Sequence, residues 1–357
     1  MKPTILVSGA TGKVGTEVTK QLLQKGYPVR AMVRQQDTRS EGLRQLGADI
    51  VVADLFDVEQ VMAAMRGTQR VFYLPVVHPY MIQSSVAFAI AAHESRVESM
   101  VALTQWLSSP SHPALLTRHH WLTDHLWPLI PDLAHTIVNP GLFGEVVAEL
   151  IPDAAVMGSF PNFIGDSRSA PASNADMARV VVAALMDPAR HHGKTYRPTG
   201  PQSLSIPDIA AIVGKVLGRS IKVQDMSLKL FLKVANATGI PTFEAFITEH
   251  YFREGMRGTF EVNTPSSDVY ELTGQQPESF ESIARRYVSL PNAQPTLANK
   301  WRVMRTFLKI LVTPAYDIDA YVRAMQFPIP PRPHLAIDSA IWRQEHHAPA
   351  LTIADTV

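Results

Sequence analysis

Cysteine is absent from this chain of 357 residues. Its absence excludes disulfide bonds, thiolate zinc sites and a cysteine nucleophile. Charge is also scarce and nearly balanced, since 18% of the residues are charged and 33 Lys and Arg stand against 32 Asp and Glu. This balance argues against the electrostatic footprint of a nucleic-acid-binding protein, so we expect no direct nucleic-acid partner.

Long hydrophobic runs are missing as well. We find no uninterrupted apolar stretch long enough to span a bilayer, and only residues 1–3 precede the first predicted strand, which leaves no room for a signal peptide. Apolar residues nevertheless make up 46% of the chain. We therefore expect a globular, soluble, cytoplasmic protein with one large or two modest domains and no integral membrane contact.

The first fifteen residues contain the strongest local pattern. Thr4–Val7 is a short, apolar, β-branched run that predicts a buried strand, and an amphipathic pattern over Lys13–Lys25 predicts a helix. Between them lie Gly9, Gly12 and Gly15 at a spacing of three. The segment is therefore predicted to fold as strand, glycine turn and helix.

This arrangement is typical of a dinucleotide site. One glycine allows the tight turn, one lets the backbone approach a pyrophosphate, and one lets the helix pack closely on the strand. The helix N-terminus then offers unpaired N–H groups to the phosphates. A glycine-rich turn that binds nothing is the alternative. The predicted contacts are a single run of residues: Gly9, Ala10, Thr11, Gly12, Lys13, Val14 and Gly15.

The end of the second predicted strand, Pro28–Val33, bears on the choice of cofactor. Arg34 follows it, 19 residues after Gly15. An acid at this position suits the ribose hydroxyl of NAD, whereas an arginine accommodates the 2′-phosphate of NADP. A solvated surface arginine is the alternative. We predict NADP(H) in preference to NAD(H).

Several segments resemble those of a known family. The GATGKVG sequence at residues 9–15 resembles the short-chain dehydrogenase/reductase superfamily, and more narrowly its atypical NmrA-like branch. The segments 134–141 and 193–201 are similar to the branch's TILRPGxF and GKxYxLTGP segments, although Asn139 stands where many relatives have arginine. The resemblance covers roughly residues 4–290. It implies a doubly wound parallel α/β sheet of order 3-2-1-4-5-6 with a smaller, mostly helical C-terminal part.

The resemblance also implies further cofactor contacts. Asp54 and Leu55 end the third predicted strand, where the family's Asp-Leu pair contacts the adenine. Capping of a neighbouring turn is the alternative for Asp54. Leu74, Pro75 and Val76 follow the fourth strand across the topological switch point and are expected to line the cofactor cleft.

The catalytic positions depart from the superfamily pattern. Thr104 ends the fifth predicted strand, where a catalytic serine or threonine is expected, and it is also a predicted cofactor contact. No YxxxK follows it in the Rossmann half. Instead, residues 118–126 resemble the H-x-x-T-E-x-x-L helix of NmrA-like quinone reductases, with Asp124 for the glutamate. His120 is a catalytic candidate, and a surface pair of His120 with Asp124 is the alternative.

We expect three regions: an NAD(P)-binding Rossmann domain at 1–150, an interleaved substrate-pocket part at 151–290, and a helical extension at 291–357. The function expected is NADPH-dependent reduction of a small, apolar carbonyl, enone or quinone by a monomer or homodimer. The alternative is a non-catalytic, NADP-sensing regulator that acts through a protein partner. No metal site is predicted.

The extension contains a basic amphipathic pattern over Lys300–Val312, followed by predicted helices over Tyr316–Met325 and His334–His346. Such a helix can lie on a membrane surface or dock on its own protein as a lid. We expect docking, with burial on the body of the protein or on a second subunit, because the apolar residues would otherwise form an unusually large exposed patch. Those residues are Trp301, Phe307, Leu308, Leu311, Tyr321 and Trp342.

Overall fold

Seven parallel strands form the central sheet in the computed structural model, which describes residues 2–348. The first six strands alternate with helices, as apolar runs separated by amphipathic segments predict. In chain order these elements are β1 (Ile5–Val7), α1 (Lys13–Gln24), β2 (Val29–Val33), α2 (Thr38–Gln45), β3 (Asp49–Val52), α3 (Val58–Met65), β4 (Arg70–Tyr73), α4 (Met81–Glu94), β5 (Ser99–Leu103), α5 (Leu115–Leu126) and β6 (Ala134–Val138).

A second region follows, built of short strands and helices. Its elements are α6 (Gly144–Ala148), α7 (Ile151–Met157), β7 (Ser159–Asn162), β8 (Arg168–Ser169), α8 (Asn174–Met186), α9 (Pro188–His191), β9 (Lys194–Tyr196), β10 (Leu204–Ser205), α10 (Ile206–Leu217), β11 (Lys222–Asp225), α11 (Leu228–Thr238), α12 (Thr242–Met256), α13 (Asp268–Thr273) and α14 (Phe280–Val288). The extension adds α15 (Leu297–Val312), α16 (Ile318–Met325) and α17 (Ala340–Glu345).

The sheet order is β3-β2-β1-β4-β5-β6-β9, which confirms the predicted doubly wound order and extends it by one strand. The added strand β9 pairs in parallel with β6, so the second region returns to the Rossmann sheet. The sheet is buried on both sides because α1 and α8 cover one face while α3 and α4 cover the other. All parallel strands therefore point their carboxyl ends toward one edge, where the chain turns.

The extension differs from its prediction in two respects. The helix predicted over His334–His346 is confirmed only in part, because a 3₁₀ turn at Ala336–Asp338 and the short helix α17 are the helical segments there. Ser339 separates them, accepting a hydrogen bond from the amide of Trp342 as the cap of α17.

No helix within residues 2–348 is long and apolar enough to cross a membrane.

The predicted burial of the extension is confirmed for Trp342, whereas α15 is not buried on the body of the protein. Trp342 is fully buried, while Trp301 in α15 is 71% exposed. Phe307, Leu308 and Leu311 are also exposed. This helix does pack on α7 and α11, but with the side on which Arg302, Val303, Thr306 and Ile310 are half-buried.

Candidate functional site: a cleft at the carboxyl edge of the sheet

The glycine turn has the geometry that its sequence predicts. Gly9 has a φ of +58°, a left-handed conformation that glycine adopts without strain. A Cβ atom at Gly15 would lie 2.2 Å from the carbonyl oxygen of Gly9. Only glycine at position 15 therefore lets α1 approach the turn this closely.

The N-terminus of α1 is left open for an anion. Gly12 is its N-cap, no side chain caps the helix, and its first turn contains no acid. The N–H groups at this end, together with the helix dipole, fit the phosphates of a dinucleotide. Lys13 forms an ion pair with Glu149 and is half exposed, so its charge is already partly compensated.

A cavity of about 410 Å³ lies on one side of this turn. It brings together six of the predicted cofactor contacts: Gly9, Thr11, Arg34, Asp54, Leu55 and Val76. Sequence reasoning missed other members of its wall, among them Gln35, Phe56 and His78. These residues lie in the loops that follow the ends of β2, β3 and β4. Their positions just after predicted strands could have identified them as members of the wall.

Arg34 is exposed at this cavity, and no ion pair or hydrogen bond of its side chain is found within residues 2–348. The nearest acid in sequence, Asp37, is already engaged. It caps α2 and accepts a hydrogen bond from the Nε of Arg39 at 2.9 Å, and these contacts hold the pKa of its carboxyl below the usual range. Arg34 is thus free to meet an anionic ligand.

Asp54 does not cap the next helix. Asp57 is the N-cap of α3, while Oδ1 of Asp54 accepts a hydrogen bond from the amide of Phe56 at 3.0 Å. Within the described chain, its second carboxyl oxygen has no hydrogen-bond partner. Asp54 lines the cavity, and this oxygen is a candidate acceptor for a ligand amine.

A second cavity, of about 420 Å³, lies on the other side of the glycine turn. Val77 borders both cavities. Five predicted cofactor contacts line the second one: Lys13, Val14, Leu74, Pro75 and Thr104. Both catalytic candidates, Thr104 and His120, are also in its wall. The predicted contacts Ala10, Gly12 and Gly15 border neither cavity; Ala10 and Gly15 are buried under the turn.

The wall of the second cavity is mainly apolar. It includes Leu103, Leu107, Leu116, Leu142, Phe143, Val146 and Phe260. Tyr251 enters from α12, in the segment that the resemblance expects to wall the substrate pocket, and its hydroxyl donates to Oε1 of Gln105. Gln105 and Tyr251 are 146 residues apart, so no local pattern in the sequence predicts that they meet.

Two polar groups of this cavity lack a protein partner. Thr104 Oγ1 and Gln105 Nε2 are buried and make no hydrogen bond within the described residues. Burying such groups unpaired costs free energy of about 1–3 kcal/mol each. Both residues line the cavity, so their side chains are the candidates to hydrogen-bond a ligand there.

His120 is buried at the same cavity and does not form a surface pair with Asp124. Burial, assisted by the neighbouring His119, lowers the pKa of His120 to about 3. The imidazole is therefore neutral at physiological pH, and its Nδ1 has no partner in the described chain. Neutral histidine is a weak proton donor, so the geometry supports a binding role better than an acid role.

Behind Thr104 lies a separate polar cavity that Asp124 and Ser108 line. The side chain of Asp124 is only partly exposed and its Oδ1 is buried. Burial raises the pKa of this carboxyl well above its usual value. The hydroxyl of Ser108 lowers the pKa, the charge of Glu345 raises it further, and the hydroxyl of Thr104 lowers it, but burial is the largest effect. Asp124 thus favours its protonated form beside Thr104.

Trp106 forms a rigid part of the wall. Its indole Nε1 donates to the carbonyl of Thr259 at 3.0 Å, and the guanidinium of Arg197 lies 3.5 Å from its ring centroid. The indole of Trp342, from the extension, donates to the Trp106 carbonyl at 2.7 Å. No residue of 291–348 lines the apolar cavity itself, so the extension supports the wall from behind and does not cover the opening.

Among residues 2–348, no three His, Asp or Glu side chains are grouped as a metal site requires. His346, one of an adjacent histidine pair in the sequence, instead stacks on Trp342 with ring centroids 4.6 Å apart.

Comparison with known proteins identifies a family and several relatives. The model of the NAD(P)H-binding family matches residues 9–188. An NAD(P)H azoreductase of Xenophilus azovorans is 28% identical over 292 residues, which are 80% of this chain and 98% of that protein.

Two solved structures share the fold. An NADPH-dependent quinone oxidoreductase of Escherichia coli, complexed with NADPH, has a TM-score of 0.70 at 22% identity and covers 79% of this chain and 99% of its own. A triphenylmethane reductase of Citrobacter sp., complexed with NADP(H), has a TM-score of 0.70 at 20% identity, and the match covers 79% of this chain and 99% of that reductase. With half of the chain matched by the family model and the Rossmann order observed, the chain belongs to the NAD(P)H-binding family, as an NmrA-like member of the atypical short-chain dehydrogenases/reductases.

Proposed function

We propose that this protein is an NADPH-dependent reductase of a small, apolar carbonyl, enone or quinone. The observation that carries the proposal is the cavity beside the glycine turn. Its wall is mainly apolar and includes two polar side chains, Thr104 and Gln105, that lack a protein partner for Oγ1 and Nε2. Ligand pockets of enzymes commonly combine a hydrophobic lining with a few polar groups of this kind. The names of the relatives, an azoreductase and a quinone oxidoreductase among them, favour the same class.

The chain's own residues account for cofactor binding. The open N-terminus of α1 would hold the pyrophosphate, and the free second oxygen of Asp54 would accept from the adenine amine. Arg34 would contact the 2′-phosphate, which is the reason to prefer NADPH over NADH. The bound cofactor supplies the hydride.

The unpaired donors suit the substrate oxygen. Gln105 Nε2 is fixed because its own Oε1 accepts from Tyr251, so it points a donor at the cavity without reorganisation. Together with the Thr104 hydroxyl it would polarise a carbonyl or quinone oxygen as negative charge develops there. The surrounding apolar wall excludes water and strengthens both hydrogen bonds.

Reduction of the substrate also consumes a proton. In our proposal the Thr104 hydroxyl gives its proton to the substrate oxygen and takes one from the protonated carboxyl of Asp124 behind it. Asp124 regains a proton from solvent through the polar cavity that it lines. His120 remains neutral and orients the substrate.

The test is NADPH consumption by the purified protein with a panel of quinones and enones, and with charged sugars as a negative control. We expect turnover of the apolar substrates only. Thr104→Val is expected to lower kcat by about 10²-fold, the scale of a lost proton-transfer partner. Leu129→Gln, a change at an exposed site away from the cleft, is the control and should behave as the parent.

A second candidate is the NADP-sensing regulator, favoured by the absence of YxxxK after Thr104 and by the neutral state of His120. Tight NADPH binding without turnover of any panel member would contradict the reductase proposal and support this one. Activity that is unaffected by Thr104→Val would contradict the proton path but not the reductase class.

A further inference from the structure

Helix α15 is oriented with its apolar side away from the protein. The outward residues recur at spacings of three and four, which places them on one stripe. They are Leu297, Trp301, Met304, Leu308 and Leu311. Each is more than half exposed, and Leu297 and Trp301 exceed 70%. A helix on a soluble monomer normally shows the opposite arrangement, with its apolar stripe in the core.

The inward side of α15 is fixed by polar contacts. Asn299 Nδ2 donates to the carbonyls of Pro291, at 2.9 Å, and Gln294, at 2.8 Å. Arg302 forms an ion pair with Asp153 of α7 at 2.7 Å. Lys233 of α11 donates to the carbonyl of Leu311 at 3.2 Å. These contacts fix the rotation of the helix about its axis. The apolar stripe, on the opposite side of the helix, therefore faces outward.

Basic residues flank the stripe on both sides. Helical geometry at 100° per residue places Lys300 on one flank and Arg305 and Lys309 on the other. All three are exposed, and none has an ion-pair partner among residues 2–348. The helix contains no acidic residue. The exposed surface is thus apolar along its centre and positive along both edges.

We infer that α15 binds the surface of an anionic lipid bilayer, lying flat with its apolar stripe among the acyl chains. An amphipathic helix with aromatic and aliphatic residues on one side and Lys and Arg at the edges has the form of an interfacial helix. Trp301 suits the headgroup level, where one end of the indole is apolar and the other is wet. Lipid phosphates are the charge complement of both flanks.

A second copy of the chain fits this surface less well. Pairing two α15 helices along their stripes would bring the basic flanks of one copy beside those of the other, with no acid on either helix. Like charges in such positions oppose association. The proposal is independent of the reductase activity, because no residue of α15 lines the cofactor or substrate cavities.

Vesicle flotation of the full chain tests the inference. Vesicles of phosphatidylcholine alone are compared with vesicles that contain equal parts of phosphatidylglycerol, at low and high salt. We expect binding to the anionic vesicles at low salt, loss of binding at high salt as the flanks are screened, and little binding to phosphatidylcholine. NADPH binding by titration calorimetry checks that each variant is folded.

Three variants identify the surface. The double variant Trp301→Gln with Leu308→Gln should abolish flotation, and replacement of Lys300, Arg305 and Lys309 by Gln should lower the partition coefficient about 100-fold, at roughly fivefold for each basic residue. Leu129→Gln removes a side chain that is 76% exposed outside the extension and should change nothing.

Failure of the parent protein to bind anionic vesicles would overturn the inference, as would equal binding to both vesicle types. Unchanged flotation of the Trp301 and Leu308 double variant would exclude α15 as the contact. If mass measurements in solution found a dimer that this double variant dissociates, the surface would be an interface between copies, and the lipid proposal would be wrong.

Discussion

Gly15→Ala probes the packing of the glycine turn most directly. The added Cβ would lie 2.2 Å from the carbonyl oxygen of Gly9 and 2.9 Å from its carbonyl carbon. These are backbone atoms, so the clash is relieved only if the turn or the helix moves. Overpacking of this kind typically costs about 1–3 kcal/mol of unfolding free energy.

A matched variant separates this clash from the change in helix propensity. Gly42 lies in α2, and a Cβ at that position meets nothing within 4 Å. Gly42→Ala should therefore gain about 0.5–1 kcal/mol from propensity alone. Gly15→Ala receives the same gain, so the difference between the two variants in denaturant unfolding measures the steric cost, expected at about 1–3 kcal/mol.

The turn also holds the proposed phosphate site. If the turn moves, at least one amide no longer reaches the pyrophosphate, and a hydrogen bond to a charged group is worth about 1.5–3 kcal/mol. The Kd for NADPH, measured by titration calorimetry, should rise about 10- to 150-fold for Gly15→Ala and stay constant for Gly42→Ala. Parent-like affinity in a Gly15→Ala variant that is clearly destabilised would refute the assignment of the turn to the phosphates.

Three further outcomes are expected. Arg34→Asp should weaken NADPH binding by about 1.5–3 kcal/mol through loss of the 2′-phosphate contact, without weakening NADH binding, because an acid at this position suits the ribose hydroxyl of NADH; equal parent affinities for the two cofactors in calorimetry would contradict this. Because burial raises the pKa of Asp124, its acid form should dominate at low pH, and kcat should fall as the pH rises through that pKa. In a pH–rate profile, Asp124→Asn should lower kcat and abolish this pH dependence. Because the pKa of Asp124 is higher in the folded state than its usual value of 3.8, the free energy of unfolding falls as the pH rises above 3.8. Asp124→Asn should therefore also raise the melting temperature at neutral pH. An unchanged pH–rate profile together with an unchanged melting temperature would refute the buried environment of Asp124. Trp342→Ala should cost about 3–5 kcal/mol of stability and raise KM through loss of support for Trp106, with the Kd for NADPH constant; an unchanged KM would show that the extension does not support the pocket wall.

Local patterns in the sequence predicted much of the Rossmann half. The alternation of β-branched runs with amphipathic segments predicted strands and helices in turn, and the helix predicted over Lys13–Lys25 is α1, which ends one residue earlier, at Gln24. The three glycines determined the turn, because only glycine tolerates the positive φ at Gly9 and the close approach at Gly15. Residues at strand ends, such as Arg34 and Asp54, could be assigned to one edge because parallel strands share a direction.

Residues that meet across the fold were beyond this reasoning. Gln105 acquires its fixed orientation from Tyr251, which is 146 residues away, and Asp124 acquires its raised pKa from burial, to which the charge of Glu345 adds. Neither environment has a local pattern, since each depends on which distant segments pack together.

Helix α15 makes the same distinction in one element. Its sequence determined that it would be helical and amphipathic, because apolar residues recur at helical spacing between basic ones. Only the tertiary structure decided which side faces the protein. Partners for Asn299 and Arg302, at Pro291 and Asp153, hold the polar side inward. Periodicity defines the two sides of a helix, and contacts with the rest of the chain select between them.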